Sequence, residues 1–470
     1  MKKPSLQLFY LISSFLMIIG LLFYGASRLL AFYQSGAENQ EIVMLDTKSV
    51  NTYYQPKLSW KMPISNEGRV IEANTLQKIS RDYVASYYHQ FQALKTGDPI
   101  GLHDYYTEKA RTHLEELVAW NSENNQTLSG TTIEHQAQLD FYSEDGTIAS
   151  LTDQVISYQK TAIGDETKTM SYDTSSYRSM LLLEDNFWRI RHKVKTEIPN
   201  LFEEVTSDSL ADYIDGSRFY VEGTEFIIKG INYYPQNHPW ELMWENFDSI
   251  DFQSDFQLLK TMGFNTIRIF VPFQHFGGAS PNQSELLKLK TLMNLADESE
   301  LKVIVTLFDF FLGYRLEEWT LSDRHAEGVV NTIKDHSALL AWDLKNEPDL
   351  DFEQSGKIEV QEWLKFISKR IKGYDPNTFI TIGWSQPEVS PLVEDEIDFY
   401  SFHFYRDPVE LDAYLEKNKF TKPLFLGETG MHSFKSWWYP IGNSEKEQKN
   451  YYSQITKLLE KHDLNYAFWT

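Results

Sequence analysis

The sequence predicts an α/β protein whose larger part is a (β/α)8 TIM barrel, preceded by a small α+β domain and an N-terminal transmembrane helix. Three observations lead to this prediction. Strands alternate with helices from residue 217 onward, residues 75–205 combine helices with antiparallel strands, and a long uncharged segment stands near the N-terminus. A chain of 470 residues is long enough for two or three folded units.

The composition narrows the possible classes of function. The formal net charge of -23 argues against nucleic acid as a partner, because phosphate binding requires basic surfaces. The sequence has no cysteine, which excludes disulfides, thiolate nucleophiles and cysteine-ligated zinc. Aromatic residues make up 15% of the chain, which is enough to line a sugar-binding cleft as well as a core. A neutral substrate fits this composition best.

Residues 1–33 are predicted to anchor the chain in the cell membrane. Lys2 and Lys3 precede the uncharged run PSLQLFYLISSFLMIIGLLFYGAS, which ends before Arg28. Such a run can cross the bilayer as a helix of about 20 residues, and the lysines favour an N-terminus inside the cell with the remaining chain extracytoplasmic. A cleaved signal peptide, giving a secreted protein, is the alternative, although its apolar region usually spans only about 7–15 residues.

A polar tether and a small α+β domain are expected next. Residues 34–74 have few periodic apolar positions and are predicted to be the tether. Within residues 75–205, two amphipathic helices precede period-two segments, which flank Glu-Asp-Gly at 144–146 and Asp-Asn at 185–186 and so predict two hairpins. This order of elements, with NFWRIRHK as the last strand, resembles the nuclear-transport-factor-2-like superfamily. We expect the domain to be a spacer or to bind a protein partner in the cell envelope.

Eight strands alternating with helices are predicted within residues 217–470. Each strand is apolar over most of its length, as expected when helices cover a parallel sheet. In chain order the strands are EFIIKGINYY, FNTIRIFVP, LKVIVTLFDF, ALLAWDLKNEP, TFITIGW, IDFYSFHFY, KPLFLGETG and LNYAFWT. This alternation predicts a (β/α)8 barrel. The given chain stops on the eighth strand, so we expect a fragment that lacks the last helix.

Polar residues at the strand ends predict the chemistry, because catalytic groups of such barrels come from the C-terminal ends of different strands. Glu347 ends the fourth strand and Glu428 the seventh, so both carboxyl groups are expected in one mouth. Glycoside hydrolysis needs such a pair: one group protonates the leaving oxygen, while the other attacks or directs water. Arg268, on the second strand, can hold one carboxylate ionised while the other stays protonated.

The barrel sequence resembles glycoside hydrolase family 5, the cellulase family, from about residue 219 to residue 470. Five strand ends carry the resemblance: Arg268, Asn346-Glu347-Pro348, His403-Phe404-Tyr405, Gly427-Glu428 and Trp469. The resemblance implies a retaining glycosidase in which Glu347 is the general acid/base and Glu428 the nucleophile. It implies no metal and no organic cofactor.

The resemblance also implies supporting roles for neighbouring residues. Asn346 would bind the sugar 2-hydroxyl, Arg268 and Tyr405 would position Glu428, and His403 would orient the site near the acid/base. Trp469 would be the platform beneath the sugar at the cleavage point.

Several other aromatic and polar residues are candidates for substrate contact. Trp384 and His238 are proposed as contacts, and Trp240 fits a sugar platform as well as it fits packing. One position departs from the family pattern: a histidine usually stands near the end of the third strand, where this chain has TLFDFF. Asp309 or its aromatic neighbours must then fill that space, and we expect Asp309 to be structural rather than catalytic.

Together these features predict a membrane-anchored, extracytoplasmic retaining glycosidase. Its expected substrate is a β-linked oligo- or polysaccharide, such as a β-glucan, a β-mannan or a bacterial exopolysaccharide. A transglycosylase with the same residues is one alternative. A non-catalytic glycan-binding or scaffold protein of the envelope is another.

Overall fold

The computed structural model describes residues 53–61, 67–164, 166–197, 212–433 and 442–469. The predicted membrane anchor, residues 1–33, lies outside these ranges. Within them, no helix combines the length and the apolar character needed to cross a membrane.

A six-stranded sheet with helices forms the first described part of the chain. The strands are β1 (Lys57–Trp60), β2 (Glu67–Gly68), β3 (Gln126–Tyr142), β4 (Ile148–Ile163), β5 (Glu166–Glu184) and β6 (Phe187–Thr196). The helices are α1 (Ala73–Thr96), α2 (Leu102–Tyr105) and α3 (Glu108–Glu123). β3 to β6 form an antiparallel meander, and α1 lies on it, with the Tyr83 ring in edge contact with His135 of β3. The resemblance to the nuclear-transport-factor-2-like superfamily stays a prediction.

Both predicted hairpins are confirmed, and the predicted tether needs one correction. Residues 144–146 lie in the turn between β3 and β4, while Asp185 and Asn186 connect β5 to β6 with φ angles of 50° and 68°. Positive φ at both turn residues is the geometry that two-residue hairpins favour. The range predicted as a tether, 34–74, contains β1 and β2, which pair in parallel with β3. Strands of four and two residues are too short to show a period-two pattern.

A small antiparallel sheet precedes the barrel and contributes to the closure of one of its ends. It consists of β7 (Tyr213–Asp215), β8 (Arg218–Val221) and β9 (Thr224–Phe226). Phe219 of β8 packs against Phe379 and Phe399, which stand at the beginnings of two barrel strands. The predicted strand EFIIKGINYY is therefore two strands, because a continuous apolar run does not show where a chain passes from one sheet into another.

Eight parallel strands close into a barrel, which confirms the predicted fold of this part. They are β10 (Lys229–Asn232), β11 (Thr266–Pro272), β12 (Lys302–Asp309), β13 (Leu339–Asn346), β14 (Phe379–Trp384), β15 (Tyr400–His403), β16 (Leu424–Thr429) and β17 (Asn465–Phe468). The helices here are α4 (Leu242–Glu245), α5 (Ser249–Thr261), α6 (Gln283–Glu298), α7 (Trp319–Ile333), α8 (Phe352–Ser355), α9 (Lys357–Tyr374), α10 (Pro408–Lys417) and α11 (Glu445–Lys461). Pairing of β17 with β10 closes the ring.

The α+β sheet packs directly on the barrel helices α7 and α9. The Tyr158 ring of β4 lies 5.1 Å, between ring centroids, from both Trp319 and Phe366, and these two rings stack on each other at 4.6 Å. Beside them, Arg370 of α9 donates to Glu134 of β3 at 3.0 Å. Residues 53–470 form one compact unit, so the domain expected as a spacer shares a core with the barrel.

Candidate active site

A strained turn at the end of β13 positions Glu347. The pairing of β13 with β14 shifts register between Asp343 and Asn346, and the Glu347 amide then donates to the carbonyl of Gly383 at 2.7 Å. Glu347 itself has φ 46° and ψ 51°, and Pro348 begins a short 3₁₀ helix directly after it. Left-handed backbone at a residue other than glycine costs free energy, of order 1 kcal/mol or more, and such strain is concentrated at functional sites.

Glu428 lies at the end of β16 and is held by two donors. Its Oε1 accepts from Arg268 Nη1 at 2.7 Å, and its Oε2 accepts from the Tyr405 hydroxyl at 2.6 Å. Burial and the negative charge of Glu428 raise the pKa of Tyr405, so its hydroxyl stays protonated and donates. Charge-assisted hydrogen bonds of this length are strong and fix the orientation of the Glu428 side chain.

Arg268 of β11 connects four strands inside the barrel. Its Nε and Nη2 donate to Asp343 Oδ2 at 2.9 and 2.6 Å, and its remaining bonds reach Asn232 and Asn346, both at 2.9 Å. The guanidinium is fully buried. Burial by itself lowers the pKa of Arg268, but the charges of Asp343 and Glu428 outweigh it and raise the pKa overall. The side chain is therefore a permanent cation beneath Glu428 and Asn346.

His403 lies between the two glutamates. Its Nδ1 is 2.8 Å from Glu347 Oε1 and 3.4 Å from Glu428 Oε2. Burial raises the pKa of Glu347, but the hydrogen bond and charge of His403, together with Arg268 and Lys345, lower it below its usual range. Glu347, His403 and Glu428 each place an oxygen or nitrogen within 4.8 Å of the other two, which is close enough to hold a metal ion. Both oxygens of Glu428 already accept hydrogen bonds, one from Arg268 and one from Tyr405.

Aromatic rings border the mouth on the side of the first and third strands. Trp469, which follows β17, lies 5.0 Å from Trp240 and 5.6 Å from Tyr234, measured between ring centroids. Trp240 in turn lies 6.5 Å from Phe310. Burial and the Glu428 charge raise the pKa of Tyr234, which shows that this ring is within electrostatic reach of Glu428.

The structure thus brings together six of the predicted residues: Arg268, Asn346, Glu347, His403, Tyr405 and Glu428. Trp384 is a correction, because its side chain is fully buried and packs toward Phe352 in the outer core. Side chains alternate along a strand, and in β14 it is Gly383 that faces the interior. His238 is half-buried, and its contact with substrate stays a prediction.

Two residues that hold Arg268 in place, Asp343 and Asn232, were not predicted as site residues. Asp343 is 1% exposed and also accepts from the Thr306 hydroxyl at 3.0 Å and the Gly383 amide at 2.9 Å. Its sequence signal was present, since a single acid inside the apolar run ALLAWDL requires a buried partner. The signal for Asn232 was its position, since it is the polar residue that ends the first predicted barrel strand.

Gly383 leaves the space in which these groups meet. A Cβ atom at this position would lie 2.9 Å from Arg268 Nη2 and 3.1 Å from both Asp343 Oδ2 and His403 Nε2. We expect Gly383→Ala to displace the guanidinium and the imidazole, and to lower kcat by roughly 100-fold, because displacements of about 1 Å in an active site have effects of this size.

Gly373 of α9 provides the matched control for this prediction. A Cβ atom there meets nothing within 4 Å, so Gly373→Ala should leave kcat unchanged. Steady-state kinetics on both variants, with thermal melting to verify folding, is the measurement. Equal kcat for Gly383→Ala and the parent protein would contradict the expectation.

The site defines a class of protein: a (β/α)8 barrel with two glutamates, one strained and half-exposed and one ion-paired, at the C-terminal ends of its strands. The family model described as Cellulase (glycosyl hydrolase family 5) matches residues 221–470, more than half of the chain. The chain belongs to this family of glycoside hydrolases, as the sequence predicted.

Individual relatives are more distant. A rice protein (Oryza sativa subsp. japonica), mannan endo-1,4-beta-mannosidase 8, is 29% identical over 137 residues, which are 28% of this chain and 32% of the rice protein. The match thus spans about a third of that relative's length. Among solved structures, the exo-beta-1,4-mannosidase Op5Man5 from Opitutaceae bacterium strain TAV5 has a TM-score of 0.47 at 21% identity, covering 55% of this chain and 54% of that chain. The endo-1,4-beta-mannanase from Rhizomucor miehei has a TM-score of 0.44 at 18% identity, covering 55% of this chain and 90% of that chain.

Proposed function

We propose that the protein is a retaining glycosidase of β-1,4-linked polysaccharides, a β-mannan or a β-glucan, with Glu428 as nucleophile and Glu347 as acid/base. The observation that carries this proposal is the asymmetry of the two carboxyl groups. Glu428 is 5% exposed and bound by Arg268 and Tyr405, whereas the Glu347 side chain is 25% exposed and contacts His403. The first is held as an anion, and the second can exchange a proton with an incoming sugar.

The separation of the two carboxyl groups supports retention of configuration. One oxygen of Glu347 lies within 4.8 Å of one oxygen of Glu428. Retaining enzymes have about 5–5.5 Å between their carboxyl groups, whereas inverting enzymes need about 6.5–9.5 Å to accommodate a water. The distance therefore favours direct attack by Glu428.

In the first step, Glu428 attacks the anomeric carbon while Glu347 protonates the leaving oxygen. Arg268 keeps its position beside Glu428 during this step, because it also donates to Asp343 at 2.6 Å. Asn346, fixed by Arg268 at 2.9 Å, can bind a hydroxyl next to the anomeric carbon. A bound sugar excludes water from the partly exposed Glu347 side chain. This desolvation raises the pKa of Glu347 and so counteracts the lowering in the free protein.

In the second step, Glu347 acts as a base toward water, because proton transfer to the leaving oxygen in the first step has left it as a carboxylate. His403 can serve both steps through one atom. In one tautomer Nδ1 accepts a hydrogen bond from the protonated Glu347 carboxyl group, and in the other it donates a hydrogen bond to the Glu347 carboxylate. His403 can therefore orient Glu347 both before and after proton transfer.

Two observations support the choice of substrate. The rice relative is named for mannan hydrolysis, and the aromatic rim around Trp469 and Trp240 suits the apolar faces of neutral sugars. Transfer to a sugar in place of water would use the same residues and stays an alternative.

The uncharged run within residues 1–33 supports the further proposal that the enzyme is anchored in the cell membrane with its barrel outside.

Trapping the covalent intermediate tests the proposed function. A 2-deoxy-2-fluoro glycosyl substrate with an activated leaving group, in the manno and gluco forms, slows the second step. Mass spectrometry of the digested protein should find one added glycosyl unit on the peptide that contains Glu428, and proton NMR of early products on soluble mannan and glucan should show the β anomer. Inverted product, or a label on another residue, would refute the assignment. Long products formed with excess acceptor would favour the transglycosylase.

A further inference from the structure

The strained turn at Glu347 is followed at once by the 3₁₀ helix Pro348–Asp351. A residue other than glycine keeps a left-handed backbone only where its surroundings hold it in that conformation. The bond from the Glu347 amide to the carbonyl of Gly383 holds the beginning of the turn. Its end is held by two aspartates of the 3₁₀ helix, Asp349 and Asp351, which contact different strand ends.

Asp351 fixes the turn to the ends of β12 and β13. Its Oδ2 accepts from the hydroxyl of Tyr314, which follows β12, and lies 3.2 Å from Lys345 Nζ of β13. Burial and the charge of Asp351 raise the pKa of Tyr314, so its hydroxyl stays protonated and donates. Because Lys345 precedes Glu347 in the chain and Asp351 follows it, the ion pair spans the turn.

Lys345 is an unusual residue for the position that it occupies. It is 4% exposed, and a buried ammonium group costs free energy unless it is paired. Its partners are the Asp351 carboxylate and the Tyr314 ring, whose centroid is 6.0 Å from Nζ. Burial raises the pKa of Glu347, and the Lys345 charge is among those that lower it again, so the ammonium lies within electrostatic reach of that group. Apolar residues in place of a buried ion pair often leave a protein equally stable or more stable, so this pair indicates a role other than stability.

Asp349 fixes the other side of the 3₁₀ helix to the end of β14. Its Oδ1 accepts from the Ser385 amide at 2.9 Å, and its Oδ2 accepts from the Ser385 hydroxyl at 2.5 Å. The preceding strand β14 also supplies the Gly383 carbonyl that accepts from the Glu347 amide. Contacts from three neighbouring strand ends therefore restrict the backbone of Glu347, and with it the direction of the side chain.

We propose that Asp349, Asp351 and Lys345 are positioning residues, which hold the Glu347 carboxyl group toward the leaving oxygen of the substrate. They act through the backbone of the turn. Without one of them the turn relaxes toward a more common backbone conformation and the acid is misdirected, whereas Glu428 keeps its place because other strands hold it. This inference rests on the proposed function, since it assigns the three residues to the proton transfer of that reaction.

Two substrates with the same sugar, mannose or glucose, separate proton donation from nucleophilic attack. A 2,4-dinitrophenyl β-glycoside needs no acid for departure of its leaving group, whereas a β-1,4-linked tetrasaccharide does. Asp351→Asn and Asp349→Asn should each lower kcat/KM tenfold or more for the tetrasaccharide and less than threefold for the aryl glycoside. Equal losses on both substrates would indicate a merely structural role and would contradict the inference, as would no loss on either.

Smaller changes test the same contacts if an aspartate variant does not fold. Tyr314→Phe and Ser385→Ala each remove one hydroxyl donor, and both should lower kcat/KM threefold or more for the tetrasaccharide alone, as should Lys345→Met. Lys372→Met is the matched control, because its ammonium pairs with Asp398 at 2.8 Å near the beginnings of the strands, and it should change neither value. Thermal melting verifies that each variant is folded. Unchanged tetrasaccharide hydrolysis in the three folded test variants would refute the inference.

A crystallographic readout separates a failure of this inference from a failure of the proposed function. If the parent protein cleaves neither substrate, the proposed function fails, and the geometry at Glu347 still decides the inference. In crystals of Asp351→Asn combined with Ser385→Ala, the φ angle of Glu347 should leave the left-handed region, and its 2.8 Å contact with His403 should be lost. Unchanged φ and an unchanged contact would overturn the inference whatever the kinetic result.

Discussion

Glu428→Gln is expected to lower kcat/KM by roughly four orders of magnitude or more on every glycan that the parent protein hydrolyses. The amide is a poor nucleophile, and the covalent route is lost with it. The substitution keeps an oxygen that can accept from Arg268, which also remains paired with Asp343. We therefore expect a folded protein with a thermal midpoint close to that of the parent, and reducing-sugar release on mannan and glucan is the measurement.

Glu347→Ala is the informative comparison for this result. Loss of the acid should abolish cleavage of polysaccharides but spare the first step with an activated aryl leaving group, which needs no proton. Added azide should then give a β-glycosyl azide from Glu347→Ala and an α-glycosyl azide from Glu428→Ala, because the nucleophile is retained only in the former. The same azide anomer from both variants would overturn the assignment of the two roles.

Deletion of residues 53–197 is expected to leave an insoluble or unfolded barrel. The deletion removes Tyr158 and exposes Trp319 and Phe366, which are each 1% exposed in the intact protein. It also removes Glu134, one of the carboxylates that accept from Arg370. The other, Asp323, still accepts from Arg370 Nε at 2.6 Å. Exposing a stacked aromatic pair on a helix layer creates an apolar patch that favours aggregation. Soluble expression and circular dichroism of residues 212–470 measure this outcome.

Point substitutions separate the effect of the interface from the effect of truncation. Tyr158→Ala should lower the free energy of unfolding by about 3 kcal/mol, because it removes a large buried ring from the core that the sheet and the barrel share. Tyr213→Ala, at an exposed ring on the small sheet, should change it by less than about 0.5 kcal/mol. A soluble, active barrel without residues 53–197 would show that the domain is only a spacer.

The barrel could be predicted from the sequence because its strands are apolar and regularly separated by amphipathic helices. Each strand end could then be located, and with it Glu347, Glu428, Arg268 and His403. The docking of the α+β sheet could not be predicted. Tyr158 and Trp319 belong to elements that are amphipathic in their own right, and the pattern of a strand does not reveal which surface covers it.

Within the site, the errors followed from the local direction of side chains. The sequence indicates Trp384 because this residue ends a strand, but it is the neighbouring Gly383 that faces the barrel interior. The register shifts before Asn346 and Asp309 reverse which side chains of the strand point into the barrel and which point outward. The apolar pattern of the sequence does not show such shifts. Asp343 does not stand at a strand end: it lies within β13, three residues before Asn346, where it accepts from Arg268.

The shared core of sheet and barrel has a consequence for the evolution and engineering of this enzyme. A barrel whose outer helices are polar exposes no apolar patch when a neighbouring module is removed. Here the layer carries Trp319, Phe366 and Arg370, whose partners lie in residues 53–197. Residues 53–197 and the barrel are consequently expected to be exchanged between proteins together, because separating them would expose these side chains.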